Sequence, residues 1–375
     1  MDFQLTESQQ MLRDSAQRFI RQQHGFEQRR ALLAESAGLH PGVWQQFAEL
    51  GWLALPFAEA QGGLDGSARD LIQVMEAFGE GLVVEPYQAN VLLAGTLLAH
   101  CGTPEQINGP LEMMLGGALQ LAFAHDEPGR RFGSPPRDVI ARRDGDVIRL
   151  DGYKSRVLNG DQADLIIVSA VYQGETALFA VPADAEGLTR TPWPAVDGSS
   201  AAEIHFQHVR LPDDARLNGG DASDAIEAAQ DMALLGLCAE AVGMLQALVK
   251  DTVEYSQTRK QFGVPIGSFQ VLQHRMADMF MRTEQAAALL DMAAIQMDTG
   301  TPTEARAALS ALKAWLGDAG RLAAQQAVQL HGGMGVTEEL RVGHYFKRLT
   351  LIEQLLGNTD WHLRRLDQLT GGQAA

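Results

Sequence analysis

The sequence predicts an α+β chain in three parts: a helical segment over residues 1–118, an antiparallel β domain over 119–222 and a C-terminal helical bundle over 223–375. Three observations carry this reading. Apolar residues recur at helical spacing in the first part (Leu12, Ala16, Phe19, Ile20) and again in the last (Leu309, Leu312, Leu316, Leu322). From about Leu119 the apolar period falls to two, with turn residues between short runs. The length of 375 residues exceeds what one hydrophobic core ordinarily serves.

In chain order, Thr6 with Gln9 forms a capping box that opens the first helix. Trp44, Phe47 and Leu50 continue the helical pattern up to Gly51. Pro56, Gly62, Gly63 and Gly66 then break it, and it returns over Leu71–Phe78 and Val91–His100. Short strands follow at Val139-Ile140, Val147–Leu150, Leu165–Val168, Ala177–Val181 and Ile204–Val209. Asp144-Gly145 and Gln173-Gly174 read as hairpin turns between them. Strands without intervening helices argue for a small barrel or sandwich, and no G-x-G-x-x-G follows a strand, so a nicotinamide fingerprint is absent. A long helix spans Ile226–Ser256, and Thr301-Pro302 with Glu304 caps another that runs towards Gln329.

One stretch, Tyr255 to Met279, carries the densest signal. Tyr255 and Arg259 lie four apart on one helical face. Gly263, Pro265 and Gly267 break the helix, Ser268 is a good N-cap, and Gln270 falls in the first turn of the next helix. Phe269, Leu272, Met276, Met279 and Phe280 read as its buried face. An arginine beside a helix N-terminus can cradle a pyrophosphate. The residues alone equally allow an αα-hairpin with a solvated Arg259.

The run Tyr255…Arg259…Phe262-Gly263…Pro265-Ile266…Phe269-Gln270…His274…Ala277-Asp278-Met279 resembles the C-terminal helical signature of the acyl-CoA dehydrogenase superfamily. Gln329-Leu330-His331-Gly332-Gly333-Met334-Gly335 is similar to its second motif, and Pro56–Gly66 to its P-x-x-x-G-G segment. The runs LCAEAVG, RKQFGVPIGSFQ and VGHYFKRLT resemble the small-subunit members, such as those of pimeloyl-CoA dehydrogenases. The resemblance implies α,β-dehydrogenation of an acyl-CoA thioester with FAD as cofactor. It assigns Arg259, Phe262, Gln270, Gln329, His331, Gly332 and Gly333 to cofactor binding, and an electron-transfer flavoprotein as acceptor.

Against that pattern several chemical groups are missing. The family's base, a glutamate after the His-Gly-Gly motif, falls on Leu356, and its other base position falls near Ala233. Glu353 and Glu240 are the displaced candidates. The family's flavin loop corresponds to Ala124–Arg130, and the Trp-x-Thr that tunes the flavin ring corresponds to Arg156-Val157-Leu158. Arg156 either binds a substrate carboxylate or fills a vacated pocket. His331 either acts as an acid or shapes a helix end. Arg130, Arg131 and Arg137 are the candidates for CoA phosphates. This asymmetry suggests the base-less subunit of a heteromer that lends FAD contacts to a partner, with a self-sufficient homomer, a flavin monooxygenase or oxidase of the same fold, and a purely structural subunit as alternatives. Either assembly requires an apolar patch on the C-terminal helices.

Composition narrows the partners further. A net charge of −17 argues against nucleic acid or an anionic membrane as partner. Two cysteines in helical segments suggest neither a disulfide framework nor a metal site, but a reducing, cytoplasmic setting. No basic n-region precedes an apolar run at the N-terminus, and no membrane span is expected.

Overall fold

The computed structural model describes residues 4–36, 38–130, 132–217 and 220–371. In chain order the helices are α1 (Glu7–Gln23), α2 (Phe26–Glu35), α3 (Pro41–Glu49), α4 (Ala68–Gly81), α5 (Thr96–Cys101), α6 (Pro104–Leu115), α7 (Ser223–Thr258), α8 (Gln270–Thr299), α9 (Pro302–His331), α10 (Arg341–Gln354) and α11 (Thr359–Leu369). The strands are β1 (Leu121–Ala124), β2 (Ile140–Asp144), β3 (Val147–Leu158), β4 (Leu165–Tyr172), β5 (Glu175–Pro182), β6 (Leu188–Pro194), β7 (Ser200–Pro212), β8 (Lys260–Gln261) and β9 (Val264–Pro265). Two compact units result: Met1–Ala31 with Ser67–Val83 and Leu234–Ala375, and Leu32–Gly66 with Val84–Ala233.

The first unit is helical, and its helix starts follow the sequence. Thr6 and Thr301 each form the expected capping box, and Ser67 forms another with Asp70. Asp298 of α8 accepts from the free N–H groups of Ala68 and Arg69 at 2.7 and 3.3 Å, satisfying donors that an α-helix N-terminus leaves open. The helix α7 is long and apolar enough to cross a membrane by length and composition, yet 83% of its most apolar window is buried inside the protein, as suits a core helix. It crosses α4 through glycine on both sides. A Cβ on Gly79 would lie 1.9 Å from the Glu240 carbonyl oxygen, and one on Gly243 would lie 1.9 Å from that of Glu76.

Two local expectations fail here. Ser268 is not the N-cap of α8: it ends a short 3₁₀ turn, its hydroxyl donates to the Pro265 carbonyl at 2.7 Å, and Phe269 takes the cap position. Phe280 does not face the core; with Met279 fully buried, Phe280, Met281 and Met292 lie 53%, 54% and 42% exposed. The helical rotation from Met279 turns these side chains outwards, forming an apolar face on α8.

The second unit holds a seven-stranded sheet in the order β1-β4-β2-β3-β7-β6, with β5 on the other side of β4. Most ladders are antiparallel, and the two-residue Gln173-Gly174 turn has φ of 55° and 90°, as a type I′ hairpin requires. The pairings β1/β4 and β2/β4 are parallel. Alternating residues such as Ile148, Leu150, Ile204 and Phe206 build the core. Two strands had no period-two signal. The run Leu121–Ala124 of β1 is buried on both faces, so nothing alternates. In β6, Pro192 and Pro194 argue against a strand, but β6 pairs only with β7 and can lack N–H donors on its outer side. The expected helix Val91–His100 begins instead as a π-helix over Gln88–Gly95.

Glu76 of α4 faces Arg13 of α1 at 3.6 Å. Burial pushes its carboxyl up to about 7, with Arg13 opposing and Asp291 adding to the rise. The folded state therefore holds this proton more tightly than the unfolded chain does. Its stabilisation is complete below about pH 4.5 and is lost as pH rises through about 7. The neutral isostere Glu76→Gln should thus leave stability unchanged in acid and raise it by on the order of 1–3 kcal/mol at pH 8. Urea unfolding at both pH values checks this.

Candidate functional site

The residues of the densest sequence signal meet at the ends of α7 and α9. Tyr255 comes from the last turn of α7, while Arg259, expected on the same helical face, lies one residue past the helix end with its N–H donating to the Tyr255 carbonyl at 2.8 Å. The β8–β9 hairpin returns the chain beside them, with the Ile266 N–H donating to the Arg259 carbonyl at 2.8 Å. Phe262 and Gly263 form the hairpin tip at φ of 54° and 81°, both left-handed as a type I′ turn demands. At the end of α9 the His331 Nδ1–H donates to the Ala327 carbonyl at 2.8 Å, which leaves Nε2 as an acceptor. Its ring stacks on Tyr255 at 4.2 Å, and burial lowers its pKa. Gly332 follows at φ 60°, ψ −139°, a conformation open only to glycine.

These groups enclose a cavity of about 480 Å³ lined by Tyr255, Arg259, Gln329, His331, Gly332 and Gly333, among others. Arg259 makes no ion pair among the described residues. The cavity therefore offers an uncommitted guanidinium, a neutral imidazole acceptor and an aromatic face. Phe262 and Gln270 do not line it. Phe262 is 93% exposed at the hairpin tip, and Gln270 is the exposed first residue of α8.

At Leu356 and Ala233, where the resemblance expects a base, the side chains offer no proton acceptor. Leu356 adopts φ 54°, and its carbonyl accepts from His362 Nε2 at 2.9 Å; Lys313 Nζ donates to the next carbonyl, that of Gly357. Burial and the neighbouring Lys313 push His362 down to about 3, so it stays neutral. Glu353 accepts from the Thr359 N–H at 2.9 Å and so helps cap α11, beside the Asn358 side chain on Trp361. Glu240 is 3% exposed and binds the Arg348 guanidinium through both oxygens, at 2.7 and 2.8 Å. Ala233 is fully buried, and its carbonyl accepts from Gln88. Glu240 is thus bonded through both oxygens, whereas Glu353 is bonded through Oε1 alone and its buried Oε2 has no hydrogen-bond partner among the described residues.

The β domain carries a buried ion network where the resemblance places the flavin loop. Lys154 Nζ donates to Glu127 at 2.8 Å, to the His125 carbonyl at 2.8 Å and to Ser169 Oγ at 3.2 Å. Glu127 also accepts from the N–H groups of Arg137, Asp138 and Val139. Burial draws Lys154 down to about 8 against the pull of Glu127. Glu127, although burial opposes its charge, is held below its usual range by these donors. His125 shares a 2.9 Å hydrogen bond with Ser169, and burial and Lys154 push it down to about 4. Sequence reasoning missed this network, because its side-chain bonds join residues 15–44 positions apart along the chain and only the folded sheet brings them together.

Arg156 sits at a bulge of β3 with φ 54° and pairs with Asp126 at 3.0 Å, both side chains about half exposed. Val157 turns into the core and Leu158 has no hydroxyl. At the position of the family's hydroxyl this stretch offers only Leu158, which cannot hydrogen-bond to a flavin ring, and the guanidinium of Arg156 is paired with Asp126. Arg130 and Arg137 flank the same loop, while Arg131 lies outside the described residues, as does the tail beyond Gly371.

Family comparisons fit this geometry. The model for the acyl-CoA dehydrogenase N-terminal domain matches residues 6–118, and that for the C-terminal domain matches residues 225–368. The probable acyl-CoA dehydrogenase YngJ of Bacillus subtilis is 31% identical over 98% of each chain. A chain of the ChsE4-ChsE5 complex from Mycobacterium tuberculosis superposes with a TM-score of 0.90 at 27% identity over the full length of both chains. Butyryl-CoA dehydrogenase from Megasphaera elsdenii gives 0.89 at 25% identity, covering 99% of this chain and 100% of that one. The chain belongs to the acyl-CoA dehydrogenase family of oxidoreductases acting on acyl-CoA.

Proposed function

We propose that this chain is the base-less subunit of a heteromeric, FAD-dependent acyl-CoA dehydrogenase and that it lends cofactor contacts to a catalytic partner. One observation carries the reading: both family base positions hold apolar side chains, Leu356 and Ala233. Of the displaced candidates Glu240 is bonded to Arg348 through both oxygens, and Glu353, which caps Thr359 through Oε1 and keeps Oε2 unpaired, is the one that turnover must test. Proton abstraction from the α-carbon of a thioester needs a carboxylate free to accept it. The structural neighbour from Mycobacterium tuberculosis is itself a complex of two named chains.

The fit to FAD divides between two places. The cavity at Arg259 suits the dinucleotide's diphosphate: its guanidinium is uncommitted, and Gly332 and Gly333 present open backbone with no side chain in the way. Arg156-Val157-Leu158 does not suit the flavin ring. When bound, FAD supplies the hydride acceptor of acyl-CoA oxidation. This chain's own residues bind and orient: Arg259 with Gln329 and His331 at the diphosphate end, Phe262 and Gln270 towards the partner's share of the site. The exposed Phe280, Met281 and Met292 of α8 support a subunit interface on the C-terminal helices. An electron-transfer flavoprotein as acceptor and a cytoplasmic setting complete the reading.

Two experiments test it. Arg259→Ala should lower FAD affinity of the assembled enzyme about ten- to a hundredfold, the worth of one charge-assisted contact, without loss of folded protein. Unchanged flavin titration would remove the cavity from the cofactor site. Glu353→Gln should leave turnover per folded enzyme within a few-fold of wild type, where loss of a general base costs on the order of 10²–10⁴-fold. A loss of that size in steady-state assays would make Glu353 the base.

A further inference from the structure

We propose that a second cavity, bordered by α1, α4 and the C-terminal half of α7, binds a small zwitterion of the amino-acid type. This inference is independent of the flavin reading. The cavity encloses about 160 Å³, room for roughly five waters or one small amino acid. Its lining mixes small apolar residues with polar ones and carries both charge signs: Glu76 and Glu80, one turn apart on α4, oppose Arg13 of α1 and Lys250 of α7.

The charges inside are incompletely matched. Arg13 spends its Nε–H on Gln73 Oε1 at 2.7 Å, and Gln73 is fixed in turn by donating to the Arg69 carbonyl at 3.0 Å. What remains for Glu76 is a loose ion contact at 3.6 Å, and its carboxylate has no hydrogen-bond donor among the described residues. Arg13 must also serve Asp291 of α8, whose carboxyl is likewise raised by burial. Once Glu76 is ionised, above about pH 7, the inner wall therefore lacks one cation. At the rim Lys250 is exposed and makes no ion pair among the described residues, so the outer wall lacks one anion. A plain ammonium ion would meet Lys250, and a plain carboxylate would meet Glu76 and Glu80. A molecule with an ammonium for Glu76 and a carboxylate for Lys250 satisfies both walls, and desolvation inside the cavity strengthens each contact.

Titration calorimetry of the intact chain at pH 8, where Glu76 is ionised, with L-alanine and L-glutamine, against ethylammonium and acetate as half-ligands, tests this. The proposal expects at least one amino acid to bind, with each half-ligand at least about tenfold weaker. Glu76→Gln and Lys250→Ala should each lower that affinity by on the order of tenfold or more. In thermal unfolding, the bound amino acid at tenfold its Kd should raise the wild-type Tm by about 1–3 °C and leave Glu76→Gln unmoved. The Gln variant replaces a desolvated acid by its neutral isostere, so it stays folded and informative. No binding by either amino acid at millimolar concentration would show a merely hydrated cavity and overturn the proposal. Binding that survives both substitutions, or ethylammonium binding as tightly as the amino acids, would overturn it as well.

Discussion

The helical unit is built on one close crossing. Where α4 meets α7, Gly79 lies against the Glu240 carbonyl and Gly243 against that of Glu76, each too near for any side chain. Because glycine stands on both sides, the two backbones touch over the contact, and the residues beside them are fixed in direction. Glu240 is turned to Arg348 of α10, and Glu76 to Arg13 of α1. The open carbonyls at the end of α4 are then taken up by neighbours: the Tyr345 hydroxyl donates to Glu80 and the Arg29 Nε–H to Leu82, both at 2.6 Å. Removing either glycine would push a methyl group into a backbone oxygen that cannot turn away, a larger disturbance than most core substitutions.

That crossing also decides what Glu240 can do. A carboxylate bound through both oxygens to a guanidinium, nearly without water, is a costly place from which to take or give a proton, since breaking such a pair strands a buried charge. Glu353 is held by a helix N-terminus, and the turn at Leu356-Gly357 is fixed from behind by His362 and Lys313. In the β domain, Glu127 and Lys154 neutralise one another in the core. The charged groups of this chain are thus largely spent on holding its shape. Arg259, at the α7–α9 cavity, is the marked exception among the candidate site residues, and it stands where an anion would be met in a chain of net charge −17.

Much of this was legible in the residues, and the limits follow a pattern. Capping boxes at Thr6 and Thr301 and the hairpin at Gln173-Gly174 are local devices, written in a few adjacent residues. The gathering of Tyr255, Arg259, Gln329 and His331 was legible because two long motifs each end a helix. What the sequence hid are partnerships across distance. Glu240 with Arg348 spans 108 positions, and Lys154 with Glu127 spans 27. Neither leaves a local mark. The strands β1 and β6 escaped for opposite reasons, one buried on both faces and the other studded with proline at a sheet edge. Ser268 was misread because its hydroxyl found the Pro265 carbonyl before it could cap α8. Phe280 was misread because it lies one residue past the buried Met279, and a step of 100° suffices to expose it.

The proposed function is a division of labour: a cavity at Arg259 for the diphosphate end of FAD, and a flavin ring held by the partner subunit. Flavin content per chain measures that division directly. This chain expressed alone should purify colourless, and co-expression with its partner should give a yellow complex with about one FAD for each pair of unlike chains. A homomeric preparation that binds one FAD per chain and oxidises an acyl-CoA would contradict it.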